Sequence, residues 1–297
     1  DLLLNKNKIM GLPTGFTELD KILGGLQKGD LLLLGGRPGM GKSSKLLSVA
    51  MNIFREDRKK RIAFFPIEMG KKQLVQRAVS LEGGINLQTI RSGRYSEAEY
   101  TRFVKAAGDI ADYPFFIDDR PALTPLQMHA QLLKLTMGYG PLDLVIVDYV
   151  QLMSGGGMYA NNKVQEIGYI SHSLKNMAKE FDVPIIGAAS LSRAVEQRSD
   201  KRPILSDLRE TGDLESDADI VMFVYRDEVY NEATEFPNQA EIIVAKHRNG
   251  PTGTAYEYFE KTLTKFMNAA QRSVDLRYLN NKTPVPTTPR EPVERDA

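Results

Sequence analysis

Residues 36–43 read Gly36-Arg37-Pro38-Gly39-Met40-Gly41-Lys42-Ser43, an instance of G-x-x-x-x-G-K-[ST], the glycine-rich loop that cradles phosphate. At ordinary residue frequencies the pattern arises by chance in roughly one chain in a hundred of this length, so the flanks decide. Leu31 to Leu34 precede it as an unbroken apolar run, which predicts a buried strand. Lys42 to about Phe54 follow with Leu46, Leu47, Val49, Ala50 and Ile53 as apolar positions, which predicts a helix. That is the strand–loop–helix setting the motif requires. The glycines let successive backbone N–H groups turn toward phosphate oxygens. The helix N-terminus adds a partial positive charge. Gly36, Arg37, Pro38, Gly39, Met40, Gly41, Lys42, Ser43 and Ser44 are therefore the expected nucleotide-binding residues. Lys42 is expected to reach the β- and γ-phosphates, and the Ser43 hydroxyl to ligate Mg²⁺. The alternative is a Gly-rich turn before a helix; the flanks favour the nucleotide.

Outward from the loop, strand-like and helix-like segments alternate. Strands are expected at 61–66, 115–117, 142–147, 184–189, 220–225, 240–245 and 255–259. Helices are expected near 17–23, 71–81, 87–92, 96–110, 124–137 and 164–181, with Thr124 as a cap and Pro125 in its first turn. This alternation predicts an α/β fold: a mostly parallel twisted sheet with helices on both faces, and an antiparallel extension where the last two strands are joined by a short turn. Residues 154–163 show no apolar period and read as a mobile loop. Residues 192–217 read as one long polar loop, a length that is usually functional or disordered. Residues 1–10 read as the end of a linker and 11–275 as one large domain. The Pro- and Thr-rich residues 276–297 read as a disordered tail.

Composition narrows the function classes. Lysine and arginine number 39 against 38 acidic residues, so any nucleic-acid site must be local. Cysteine is absent, which excludes disulfides and thiolate metal sites and fits a cytoplasmic protein. No run approaches a membrane span.

Phosphoryl transfer to water needs a metal-holding carboxylate, a group to orient the water, and positive charge for the transition state. Asp148 closes the apolar run Leu144-Val145-Ile146-Val147 and is the expected Mg²⁺-side acid; otherwise it is a cap or loop carboxylate. Glu68 follows the strand after the loop helix and is the candidate general base; otherwise it is an acid near a helix start. Lys246 and Arg248 share one face at a strand end. From spacing alone they are either a phosphate-directed pair or a solvated hairpin tip.

GLPTGFTELDKILGGLQKGDL, GGRPGMGKS, FFPIEM, LVIVDYVQLM, LSRAVEQR, DLRETGDLESDADIVMF and AKHRNGPTGT run from about residue 11 to 260. Together they resemble the replicative hexameric DNA helicases of the DnaB family, in their RecA-like P-loop NTPase motor domain. The resemblance implies ATP and Mg²⁺ at Lys42, Ser43 and Asp148, with Glu68 as the catalytic carboxylate. It implies that Arg248 and its companion Lys246 reach the ATP of a neighbouring subunit. It places Arg209, Glu210 and Gly212 in a channel loop that holds single-stranded DNA, and makes 154–163 a second channel loop. Arg193 and Arg198, with Lys201 and Arg202, add positive charge to the first; interspersed acids keep open a merely solvated loop. A homo-hexameric ring moving 5′ to 3′, a primase and a helicase loader come with the family. Ser190 stands where the family usually has the glutamine thought to report the γ-phosphate. The family's N-terminal collar does not precede residue 1 of the sequence, so this chain is expected to be monomeric or weakly oligomeric by itself. A RecA-type DNA-pairing filament and a slow nucleotide-switch scaffold are the competing readings.

Overall fold

The computed structural model describes residues 9–159 and 162–269; the side chains of residues 158 and 209–211 fall outside the description. The linker expected before residue 9 and the tail expected at 276–297 also lie outside it.

One nine-stranded sheet organises the domain, in the order β3-β2-β4-β5-β1-β6-β7-β8-β9. Strand β1 (Leu31–Gly36) is buried along its whole length, as a strand covered on both faces must be. It pairs in parallel with β5 (Ile185–Ser190) and β6 (Ile220–Tyr225). On the far side of β5 lie β4 (Leu144–Asp148), β2 (Ile62–Pro66) and β3 (Phe115–Ile117), all parallel. On the other flank, β7 (Gln239–His247), β8 (Gly253–Glu260) and β9 (Lys265–Asn268) run antiparallel. The extension is thus one strand longer than the sequence suggested. β9, with only four residues, has too short an apolar pattern to announce itself.

Alternate residues of the buried strands feed two cores. On one face α1 (Thr17–Leu23), α2 (Lys42–Glu56), α3 (Lys71–Gly83), α4 (Leu87–Ser92) and α5 (Glu97–Asp112) cover Leu32, Leu34, Phe64 and Ile146. On the other, α6 (Pro125–Tyr139) and α7 (Lys163–Glu180) cover Leu31, Leu33, Val145 and Val147. The helix starts follow their sequence signals. Ser96 and Glu99 form a reciprocal capping box, as do Thr124 and Gln127, with Pro125 at the first turn of α6.

Two loop expectations change. Residues 192–217 are not one structureless loop: 3-10 turns at Arg193–Gln197 and Leu205–Thr211 lead into α8 (Gly212–Asp217). Leu208, Leu214 and Val195 are buried there, so three apolar anchors spread through a polar stretch give it a shape that no period reveals. In 154–163, a 3-10 turn forms at Gly157–Tyr159 and Asn162 caps α7.

A buried ion pair ties the extension to the loop helix. Lys45 of α2 and Glu257 of β8 meet at 2.5 Å, with both side chains at most 2% exposed. The Lys45 ammonium also lies 3.0 Å from the centre of the Phe16 ring.

Candidate active site

Parallel strands deliver their C-terminal ends to one edge of the sheet, and ligand sites of open α/β folds form there. β1 ends at Gly36 and the chain turns through Gly39 (φ 82°) and Gly41 (φ 99°) into α2. A side chain at Gly41 would be strained and would also press on Phe266 at 3.0 Å. A cavity of about 390 Å³ opens over this turn, lined by Pro38, Gly39, Gly41, Lys42, Ser43 and Ser44. Glu68, Arg77, Tyr149, Ser190, Arg226, Phe259 and Thr264 complete its wall. A larger hollow of about 750 Å³ lies elsewhere, beside Met10, Leu26, Glu56 and Asp143, and contains none of these groups. The chemistry, not the volume, identifies the smaller one.

Three of the expected loop residues do not face the cavity. Gly36 is the last residue of β1, and its carbonyl accepts the Lys42 ammonium at 2.6 Å. Met40 is 2% exposed and belongs to the core. The Arg37 guanidinium turns away, donating to the Leu191 carbonyl at 2.8 Å and to Glu196 at 2.9 Å.

The two expected acids arrive on adjacent strands. Pro66 of β2 pairs with Asp148 of β4, and the Asp148 carbonyl accepts the N–H groups of Ile67 (2.7 Å) and Glu68 (3.2 Å). Strand pairing therefore sets the spacing of Glu68 and Asp148 beside the phosphate loop. Glu68 is exposed at the cavity mouth, whereas Asp148 is fully buried. Burial holds the Asp148 carboxyl above the usual carboxylate range, and Glu68 adds to the effect; the Ser43 hydroxyl, Lys42 and Arg77 oppose it. Both Asp148 oxygens lack a hydrogen bond of normal geometry, although Ser43 lies close enough to act on the charge. A buried carboxylate left that way is costly unless a ligand completes it. Among the described residues no group of three His, Asp or Glu could hold an ion unaided. One carboxylate, one hydroxyl and phosphate oxygens are the donor set that suits Mg²⁺, so Ser43 and Asp148 fit that ion.

Burial lowers the Lys42 ammonium, and Arg37 lowers it further; Asp148 and Glu68 hold it up. The cavity thus pairs a lysine, which phosphate would stabilise, with an acid, which a cation would stabilise. Two cations in the wall escaped the sequence reading. Arg77 sits among Leu74, Ala78 and Leu81, the buried stripe of α3, and its buried Nε lacks a partner. An arginine inside an apolar stripe was the available signal. Arg226 directly follows the six buried residues of β6, as Asp148 closes β4. It donates to the Gly39 carbonyl at 3.2 Å, pairs with Glu228, and stacks 3.8 Å over Phe259.

Lys246 and Arg248 do share a face, but not this cavity. Lys246 donates to the Glu215 carbonyl at 2.5 Å and Arg248 to the Ser216 carbonyl at 3.0 Å, at the C-terminal end of α8. The Arg248 N–H binds the Asp219 carbonyl at 2.8 Å, and Asp219 also accepts the N–H of Leu31. Arg248 therefore sits at the start of β1, whereas the phosphate loop sits at its end, about 17 Å away at the ordinary rise of a strand.

In the 191–217 segment, Arg193 is exposed. Arg198 is committed to both oxygens of Asp207, at 2.8 Å each, so it props the segment and is not free to bind DNA as expected. Arg209 and Glu210 lie in the second 3-10 turn and Gly212 opens α8. Ser190 ends β5 on the cavity wall, and the Gln151 side chain grips its backbone with two hydrogen bonds of 3.1 Å.

The chain is 43% identical to the replicative DNA helicase DnaC of Bacillus subtilis (strain 168) over 91% of its length and 59% of the relative's. It thus spans about six-tenths of the curated relatives it matches. Among solved structures, a phage-type ring of resemblance is not needed to place the fold: a single ATPase domain superposes with a TM-score of 0.85 at 36% identity, covering 90% of this chain and 94% of that one. A DnaB-like replicative helicase, solved in a study of its interactions with primase, gives 0.84 at 37% identity over 88% of this chain and 62% of that one. The family model of the DnaB-like helicase C-terminal domain matches residues 11–268, and the chain belongs to that family.

Proposed function

We propose that this domain is the ATP-hydrolysing motor of a replicative DNA helicase, working at the seams of a homo-hexameric ring that moves 5′ to 3′ on single-stranded DNA. The observation that carries the reading is the separation of its parts. Phosphate loop, Lys42, Ser43, Glu68 and Asp148 converge on one cavity, while Arg248 stands at the opposite end of β1. Transition-state charge needs a cation within hydrogen-bond reach. Arg248 cannot reach its own nucleotide over that distance but can serve a neighbour's.

Within the cavity, backbone N–H groups and Lys42 bind the triphosphate. Mg²⁺ between Ser43 and Asp148 supplies charge neutralisation for its oxygens. Glu68, at the mouth, orients a water in line with the γ-phosphorus and takes its proton. On the channel side, Arg193, Arg209, Glu210 and Gly212 meet the DNA backbone. Phosphate contacts carry no sequence information, as a motor that crosses any sequence requires. Primase and a loader are partners of the whole protein under this reading.

The test is ATP hydrolysis with and without single-stranded DNA. Stimulated, Mg²⁺-dependent turnover is the expected result; slow turnover indifferent to DNA in an assembled ring would overturn the motor reading.

A further inference from the structure

Arg37 is the one side chain of the phosphate loop that leaves the cavity and grips the 191–217 segment. Its guanidinium is only 12% exposed and holds two groups of that segment, the Leu191 carbonyl and the Glu196 carboxylate. Both belong to the stretch that opens the first 3-10 turn. From there the contacts continue. The Ser192 N–H donates to the Asp207 carbonyl at 3.0 Å, and the Asp207 carboxylate receives Arg198 and the Ile204 N–H. Asp207 lies in the turn that runs directly into α8. Leu191 and Leu208 are both buried on the same core face, so this path is anchored at each end.

The loop end of the path responds to phosphate by competition. The Lys42 ammonium lies 2.6 Å from the Gly36 carbonyl and 3.5 Å from the Arg37 carbonyl, the two that flank the Arg37 N–Cα–C unit. A triphosphate competes with both carbonyls for that ammonium. Pro38 fixes the backbone torsion immediately after Arg37, so the change is confined to the peptides on either side of it. The side chain that receives it is already bonded to the next segment. Ser190 offers no comparable reach, because its side chain is short and its backbone is held by Gln151.

We propose that Arg37 is a positioning residue: through Leu191 and Glu196 it makes the geometry of the DNA-side segment depend on phosphate occupancy of the loop. This rests on the motor reading above. Coupling of this kind is a free energy shared by two sites, and it is reciprocal. It is therefore read as a ratio, the affinity for DNA with a non-hydrolysable ATP analogue divided by the affinity without it. Substitutions at Arg37 that merely loosen the fold lower both affinities and leave the ratio alone.

The experiment measures anisotropy of a fluorescent oligo-dT on the assembled protein, with the analogue absent or saturating. The wild type is expected to show a ratio of about five or more, the low end of ordinary coupling. Arg37→Met, which keeps the stem and removes the guanidinium, is expected to bring the ratio close to one, and Arg37→Lys to retain part of it. Glu196→Ala removes one of the two acceptors; it should roughly halve the ratio on a logarithmic scale while turnover without DNA stays unchanged. Reversing the charges in Arg37→Glu with Glu196→Arg should recover part of what Arg37→Glu alone loses. A full wild-type ratio in either Arg37→Met or Glu196→Ala overturns the inference while the motor reading stands. A wild type whose DNA affinity ignores the analogue overturns both.

Discussion

The nucleotide cavity and the 191–217 segment face each other across Arg37, yet they are held by opposite means. The cavity residues stand at the ends of β1, β2, β4 and β5, strands buried along almost their whole length. Their positions are consequences of core packing, and close packing resists small displacements. The segment consists of 3-10 turns and a six-residue helix held by ion pairs at half-exposed sites: Arg198 with Asp207, Arg202 with Glu241, Arg37 with Glu196. Surface pairs are individually weak and screened by salt. The difference teaches where rigidity is required. Chemistry demands a fixed constellation, while a strand-gripping loop must shift as nucleotide comes and goes.

The sharpest way to break this comparison is at the rigid side. Lys42→Ala should lower ATP hydrolysis by about 10²–10³-fold or more, the cost of removing a preorganised charge donor from a phosphate site. Phosphate release measures it, with a melting curve to show that the fold survives. Normal turnover would remove the cavity from the mechanism. Arg248→Ala tests whether the second half of the site comes from another copy. Loss of about 10³-fold in hydrolysis with nucleotide binding retained is expected, since a finger in trans supplies that much. Mixed rings of Arg248→Ala and Lys42→Ala, once shown to form, should regain activity at the seams where an intact loop meets an intact finger. No recovery in such rings would count against the shared site.

What the sequence revealed follows the same division. The rigid side was legible because its signals are local. An apolar run ending in Asp148, a glycine-rich turn, and a helix opening with Lys42 and Ser43 each carry their meaning within about ten residues. The alternation of strands and helices likewise predicted the parallel sheet and its antiparallel flank. Arg77 and Arg226 were missed because their importance comes from which wall they line, which only the strand order decides. The 3-10 turns of the segment were missed because Val195, Leu208 and Leu214 are too widely spaced to form a period. The destination of Arg37 was invisible too: its partners Leu191 and Glu196 lie 154 and 159 residues away in the chain.

Lys45 sharpens the comparison from within a single helix. One turn after Lys42, it points away from the cavity into the core, where Glu257 is its partner 212 residues on. Lys45→Met leaves that carboxylate buried and unpaired, and should cost about 3–5 kcal/mol in unfolding free energy. Replacing both partners by apolar residues should cost far less. The pair also predicts a pH dependence. Burial lowers the Lys45 ammonium from 10.5 to about 8, so between those values the unfolded chain binds the extra proton and stability rises with pH. Glu257 is raised by burial, so the folded chain binds the extra proton above the ordinary carboxylate range, and that contribution is lost as pH climbs through its folded value. The unfolding free energy of the wild type minus that of Lys45→Met/Glu257→Leu should therefore fall across the acid range and recover from about pH 8 upward. Denaturant titrations at several pH values measure it, and a flat difference would mean that the pair is solvated.

The smallest expected effect falls on the adaptable side. Arg193 is exposed at the start of the first 3-10 turn, while its neighbour Arg198 is already neutralised by Asp207. If Arg193 meets a DNA phosphate, its replacement by alanine removes one counterion release, lowering the slope of log affinity against log salt by about 0.7 for a single strand. Affinity should drop several-fold at low salt and hardly at all at high salt, and equally for every base composition. Arg198→Ala should behave differently. It leaves Asp207 buried without its partner, so affinity should fall at all salt concentrations, with the slope nearly unchanged. Anisotropy of oligo-dT and oligo-dA over a salt series separates the two patterns. Identical slopes for wild type and Arg193→Ala would show that this arginine is solvated on the bound protein, leaving the turn at 205–211 and the start of α8 to hold the strand.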